Sequence, residues 1–167
     1  MQPKLTSLIR SPRTRLGLRV LGAVLLLFVG ADHYYEYSAD SYSVLPTIGT
    51  LFLLNFISAT AFGLILLVPL DRILHRYGAI ALQLATLSGF GIAATSLIAL
   101  LVSEHTKLFG FMESNYRPAI IVAIALEAAA AIVLALLFVV TRATKPSVSR
   151  SRASLPTSAS PAPAHHS

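Results

Sequence analysis

Two carboxylates and a histidine stand close together at the end of the first apolar segment of this 167-residue chain. Asp32 and Glu36 are four residues apart and His33 and Glu36 are three apart, so a helix would place all three on one side. Such a group could bind a divalent cation or relay a proton, although it is small for a metal site. His105, in a later loop, could complete it if that loop folded over. Alternatively, these polar groups simply meet headgroups and water.

Two further polar residues, Asn55 and Glu127, stand deep inside apolar segments. Each comes nine residues after a proline, Pro46 or Pro118, that is well placed to begin a helix. At ~1.5 Å per residue both side chains would lie about 14 Å deep, at one level near the bilayer centre. A carboxylate there costs about 3 kcal/mol, so it should face other helices. We expect either an Asn55–Glu127 hydrogen bond joining the second and fourth segments, or a protonatable site in the wall of a ligand cavity.

The patterns of catalytic and cofactor sites are missing from the sequence. Cysteine is absent, which excludes disulfides, thiolate metal sites and cysteine catalysis. The run G-F-G-I-A-A at 89–94 lacks the strand-then-helix context of a dinucleotide site, so we interpret it as helix packing. We see no nucleophile–base pair and no array of metal ligands. We therefore expect no enzyme activity, no cofactor and no bound metal ion.

Long apolar segments must position the polar residues. The chain is 55% hydrophobic, with a mean hydropathy of +0.73. Residues 41–70 and 77–103 contain no charge and 118–140 contain only Glu127, whereas crossing a bilayer takes about 20 apolar residues. In lipid the backbone must satisfy its own hydrogen bonds, which favours helices. We predict an all-α bundle of four transmembrane helices, a membrane domain over 16–140 with helices at about 16–37, 46–70, 79–102 and 118–140.

The first of these segments has two interpretations, because only twelve uncharged residues separate Arg19 from Asp32. In one, a helix spans the membrane, Arg19 snorkels to the inner headgroups and Asp32 is drawn into the outer membrane zone. In the other, residues 1–31 are a cleavable signal peptide that ends at the small-x-Ala sequence V-G-A. We favour the spanning helix. Three aromatic residues that follow would form an outer aromatic belt: Tyr34, Tyr35 and Tyr37.

The basic residues predict the orientation of the bundle. Eleven of the thirteen Lys and Arg residues lie before the first segment, between the second and third, or after the fourth. The other two loops hold five of the seven carboxylates. By the positive-inside rule, both termini are cytoplasmic: a basic arm, 1–15, and a disordered polar tail, 141–167. Because the basic residues flank spans, they indicate contact with lipid headgroups and no nucleic acid partner, despite a pI near 10.1. We expect a multi-pass protein of a bacterial plasma membrane.

Small residues recur at four-residue spacing along three of the segments. In lipid, such stripes mark places where helices approach closely. They suggest an accessory or scaffolding subunit that packs against itself or a larger membrane complex, in the lipid bilayer. The alternative function is an outward-facing transporter or a ligand- or ion-binding protein that uses the intramembrane polar cluster. The residues predicted to pack are Ala59, Gly63, Ala85, Gly89, Ala93, Ala123 and Ala131.

One stretch resembles a known group of proteins. The runs H-Y-Y-E-Y from His33 and V-L-P-T-I-G-T-L-F-L-L-N at 44–55 resemble small, uncharacterised four-helix membrane proteins of actinobacteria. More loosely, the size and four-helix plan resemble DoxX-like proteins, without a shared motif. The resemblance implies that His33 belongs to a helix, which argues against cleavage after Ala31. It implies no catalytic residues.

Overall fold

The computed structural model describes residues 11–39, 42–110, 112 and 117–142, and within them the chain forms helices and no strands. Four of the helices are long and apolar enough to cross a membrane, as predicted. A four-residue helix, Leu70–Ile73, and two 3-10 turns, Tyr42–Val44 and His75–Tyr77, complete the connections. The helices are α1 (Pro12–Ser38), α2 (Pro46–Leu67), α3 (Leu70–Ile73), α4 (Gly78–Ser103) and α5 (Pro118–Arg142).

The helix ends follow local chemistry, and two differ from prediction. The Ser11 hydroxyl accepts a hydrogen bond from the Thr14 backbone N–H at 3.1 Å, so α1 begins at Pro12, within the predicted basic arm. At the other end of α2, Pro69 forces Val68 into an extended conformation, so the helix ends at Leu67 and not near residue 70. Residues 1–10 and 143–167 lie outside the described residues, so most of the predicted arm and tail is untested.

The long helices surround a common core in the order α1, α2, α4, α5. Each therefore packs against two neighbours, while α2 and α5 face each other across the diagonal of the bundle. The core includes fully or almost fully buried leucines from three helices: Leu26, Leu66, Leu134 and Leu137. This arrangement decides which polar side chains can meet inside the membrane.

The small-residue stripes are used inside the chain. An added Cβ at Gly63 would lie 3.1 Å from the Ala23 carbonyl oxygen of α1, so this glycine allows α1 and α2 to approach. Ala59 and Ala93 have no exposed surface. The other predicted positions are buried or partly buried: Ala85, Gly89, Ala123 and Ala131. The bundle's own helices cover most of these positions, so they pack within the chain. Their use as a contact surface for a partner stays a prediction.

Helix α1 is an integral part of the bundle. It passes Ala31 without a break and contributes Leu26 and Val29 to the core. Residues 12–31 thus have a place in the folded bundle, as the spanning interpretation requires. Near the C-terminal end of α1, Tyr34 and Tyr35 are about half exposed, at 49% and 55%, as an aromatic belt would be.

Arg19 forms hydrogen bonds to the neighbouring helix. Its Nε donates a hydrogen bond to the Leu66 carbonyl oxygen at 2.5 Å, and its Nη2 donates to the Val68 carbonyl oxygen. These carbonyls lie at the C-terminal end of α2, where the last C=O groups have no N–H partner within the helix. A positive charge is favourable there because the helix dipole is negative at this end. Arg19 therefore ties the start of α1 to the end of α2.

Gly89 offers a test of packing within the chain. An added Cβ there would lie 2.7 Å from Leu26 Cδ1 and 3.3 Å from Leu134 Cδ1. We expect Gly89→Leu to lower the free energy of unfolding by about 1–3 kcal/mol through overpacking. Gly91→Leu is the control, because nothing lies within 4 Å of its added Cβ and leucine is the better helix former. Unfolding in detergent by SDS titration would measure both, and equal losses would contradict this account.

Removing the Arg19 contact should also destabilise the bundle. We expect Arg19→Met to cost about 1–3 kcal/mol, because two helix-end carbonyls lose a charged donor. Arg13→Met removes the same charge from an exposed position of α1 and should cost much less. The same SDS titration compares them, and similar effects of both would indicate that only net charge matters.

Candidate functional site

A cavity of about 450 Å³ lies in the half of the bundle next to the two carboxylate-rich loops. All four long helices line it: the last turns of α1, the first half of α2, the second half of α4 and the first half of α5. Its volume falls within the range of small-molecule sites, about 300–1,000 Å³. Most of its wall is apolar, and four of its polar side chains are joined by hydrogen bonds: His33, Asn55, Ser96 and Glu127.

All five residues singled out as a polar site line this cavity. Asp32, His33 and Glu36 come from α1, Asn55 from α2 and Glu127 from α5. Only 7% of His33, 3% of Glu36 and 1% of Glu127 is exposed. His33 and Glu36 are therefore not interfacial groups that meet headgroups, which corrects that alternative for these two residues. Asp32 and Asn55 are partly buried.

His33 lies at the centre of a hydrogen-bonded network. Its Nδ1 lies 3.0 Å from the Val29 carbonyl oxygen, and its Nε2 lies 2.9 Å from Asn55 Nδ2 and 3.0 Å from Ser96 Oγ. The Ser96 hydroxyl donates to Glu127 Oε1 at 2.5 Å, and His33 Nε2 is 3.5 Å from the same oxygen. Two helices, α1 and α4, thus supply partners to the buried carboxylate, and α2 joins the network through His33.

The expected direct Asn55–Glu127 hydrogen bond is wrong. Helices α2 and α5 are diagonal in the bundle, and His33 and Ser96 from the helices between them join the two residues instead. Ser96 was missed in the sequence, where it is one of three hydroxyl residues in the second half of the third span, with Thr95 and Ser103. Serine is common at helix contacts, so its residue type alone had little weight.

The network accommodates two proton arrangements. Because a carbonyl only accepts, His33 Nδ1–H donates to Val29. In the neutral ring, Nε2 accepts from the Asn55 amide. In the charged ring, Nε2–H donates to Ser96 Oγ and towards Glu127, and the Asn55 amide rotates to present its oxygen. The cluster can therefore take up or release a proton with little movement of heavy atoms.

Two buried oxygens in this cluster lack partners among the described residues. Glu127 Oε2 and Asn55 Oδ1 accept no hydrogen bond there, and both side chains line the cavity. A buried polar atom without a partner costs about 1–3 kcal/mol. These oxygens are therefore positioned to accept hydrogen bonds from a molecule in the cavity.

An arginine and two aromatic rings complete the loop end of the site. Arg117 Nη2 lies 3.7 Å from Glu36 Oε2 and donates to the Tyr42 hydroxyl at 2.9 Å. The Tyr42 ring stacks on Phe52 at 4.9 Å, and the Phe52 ring lies 5.2 Å from the His33 ring. The sequence had suggested only a loop charge for Arg117. In the structure it compensates one of the cavity's carboxylates.

The divalent-cation interpretation has no geometric support. In the part of the chain that the structure describes, no three His, Asp or Glu side chains come together as metal ligands. His105, expected to complete the group, is exposed and donates from Nδ1 to the Leu101 carbonyl oxygen at 2.9 Å. It does not line the cavity.

A double-mutant cycle tests the connectivity of the network. We expect Ser96→Ala and Glu127→Gln to be coupled in unfolding free energy by about 0.5–3 kcal/mol, because their side chains bond directly. Asn55→Ala and Glu127→Gln should be coupled less. Thr95→Ala is the control, since the Thr95 hydroxyl donates to the Gly91 carbonyl of its own helix at 2.6 Å. Stronger coupling of Asn55 than of Ser96 to Glu127 would contradict the assigned network.

Similarity to other proteins adds nothing to this geometry. The chain matches no protein-family model, no curated protein and no solved structure with which it was compared. The resemblance of residues 33–55 to small actinobacterial membrane proteins therefore stays a prediction. The cavity and its polar side chains are therefore the basis for a functional proposal.

Proposed function

We propose that this protein is a non-catalytic, multi-pass membrane protein that binds a small ligand in the intramembrane cavity, as a transporter or a ligand-binding subunit. The observation that carries the proposal is Glu127: a carboxylate buried in a membrane helix, lining a cavity, with one oxygen unpartnered within the described residues. Ionisable groups inside a membrane are costly and usually serve a function. Here the costly carboxylate of Glu127 lines a cavity that is large enough to hold a small molecule.

The accessory-subunit function has weaker support. Its sequence basis was the small-residue stripes, and these pack within the chain. The surface left for a protein partner is the apolar, lipid-facing exterior that any four-helix membrane protein presents. No residue pattern on that surface distinguishes a partner site from a lipid contact.

Charge supports an orientation for the cavity. Arg19, Arg72, Arg76 and Arg142 lie at the end of the bundle opposite the cavity, where the positive-inside rule places the cytoplasm. The cavity would then face the outside of the membrane. In a bacterial plasma membrane, the location that the sequence favours, the ligand would come from the cell exterior or the outer leaflet.

The absence of cysteine makes accessibility measurable. We expect Ala99→Cys, in the cavity wall, to react with a membrane-impermeant methanethiosulfonate added outside intact cells. Ile98→Cys, at the same depth but 60% exposed towards lipid, should react slowly because a thiol in lipid does not ionise. Ala93→Cys, fully buried in the core, should not react.

The outcome decides both the function and the orientation. An unreactive Ala99→Cys from both sides would overturn the proposal, because a ligand could not reach the cavity either. Reaction only from the cytoplasmic side would keep the cavity but reverse the orientation. Mass spectrometry of the labelled protein gives the extent of modification.

A further inference from the structure

We propose that the ligand is an organic cation: an amphipathic molecule with one ammonium group and an apolar body. This inference rests on the proposed function, since it names the class of molecule that the same cavity takes. It follows from three features of the cavity wall: its charge, its aromatic rings and its apolar remainder.

With its carboxylates ionised, the wall of the cavity is negative in either state of His33. Among the described residues, three carboxylates and no Lys or Arg line the cavity. Arg117 compensates Glu36 from the loop side. With neutral His33, Asp32 and Glu127 remain uncompensated when ionised; with charged His33, only Glu127 gains a partner, at 3.5 Å. Asp32 has no ion-pair partner among the described residues, so a cation is attracted and an anion repelled.

A second observation singles out Glu127 as a ligand contact. An acidic cluster alone could be a solvated surface, but this side chain is almost completely buried and its Oε2 accepts no hydrogen bond from the described residues. It also lines the cavity. An N–H or polarised N–CH3 group of a ligand would satisfy this oxygen.

Aromatic rings stand beside the carboxylates. Phe52 and Tyr42 stack with an interplanar angle of 12°, and both line the cavity together with His33. Aromatic faces attract ammonium groups and are the usual recognition elements for quaternary ammonium ligands.

The rest of the wall selects an organic cation over an inorganic one. Hard metal cations are usually held by several carboxylates, and no three His, Asp or Glu side chains of the described residues come together as ligands. Apolar side chains form most of the remaining surface and would contact a hydrocarbon body: Ile48, Leu51, Leu54, Ile92, Leu100 and Ile120.

The position of the cavity suits entry of such a molecule. Phe109, in the loop after α4, lines the cavity and is 67% exposed. Leu51 and Leu54 of α2 also line it and are 44% and 54% exposed towards the lipid side. The cavity thus reaches both the loop end and the lipid face, where an amphipathic cation partitions.

The test uses two methanethiosulfonates of opposite charge on Ala99→Cys in nanodiscs of zwitterionic lipid. The ratio of the two reaction rates on Ala99→Cys is divided by the same ratio on a free thiol in solution. The result should favour the trimethylammonium reagent over the sulfonate reagent by about tenfold. Glu127→Gln or Asp32→Asn in the same background should reduce this preference. Two variants on different helices are used because Glu127→Gln could impair folding, which the yield of monodisperse protein shows.

Protection from labelling then identifies the ligand class. Phenyltrimethylammonium should protect Ala99→Cys at concentrations about tenfold lower than tert-butylbenzene, its uncharged isostere, or benzenesulfonate, an anion. The cation inference would be overturned if all three compounds protected equally or none protected. It would also be overturned if both reagents reacted with the rate ratio that they show on a free thiol. In each of these cases the accessible cavity would still stand. Failure of both reagents to react would overturn the proposed function itself.

Discussion

The compensation of one buried carboxylate organises the half of this bundle that contains the cavity. Glu127 lies in an otherwise apolar helix, where lipid cannot satisfy it. Its partners come from neighbours: Ser96 on α4 donates directly, and His33 on α1 stands within 3.5 Å. Asn55 on α2 then bonds to His33. The carboxylate is thereby connected to all three other long helices.

The two halves of the bundle differ in packing. In the half near the basic end, Leu66, Leu134 and Leu137 are almost completely buried, and Arg19 ties α1 to α2. In the other half, polar side chains and a cavity of about 450 Å³ replace that close packing. A firmly packed end can hold the helices while the opposite end accommodates a ligand, an arrangement that suits a site kept ready for binding.

This division gives the small residues a consistent role. Glycine and alanine at helix contacts let the backbones approach, and in lipid close packing is the main force that joins helices. Gly63 and Gly89 therefore stabilise the chain's own bundle, with Leu26, Leu134 and the Ala23 carbonyl as their neighbours. The stability that they contribute supports the costly polar cluster in the other half.

The helices and the positions of most polar residues of the site could be predicted from the sequence. Uninterrupted apolar segments required helices, because lipid offers the backbone no hydrogen bonds. Prolines marked the starts of α2 and α5, and helical spacing placed Asp32, His33 and Glu36 on one side of α1. The depth of Asn55 and Glu127 followed from helical rise alone. These are local properties of one segment each, so no knowledge of neighbours was needed.

Only the tertiary structure decided which segments meet. Helical spacing does not order four helices around a core, so the sequence paired α2 with α5, while the bundle sets them diagonally apart. The order of the helices places Ser96 and Arg117 at the site, although neither residue type indicated this in the sequence. The same order leaves His105 outside the site. It also turned the small-residue stripes inward. Side-chain partners across a membrane bundle depend on helix order and rotation, which packing among all the helices determines together.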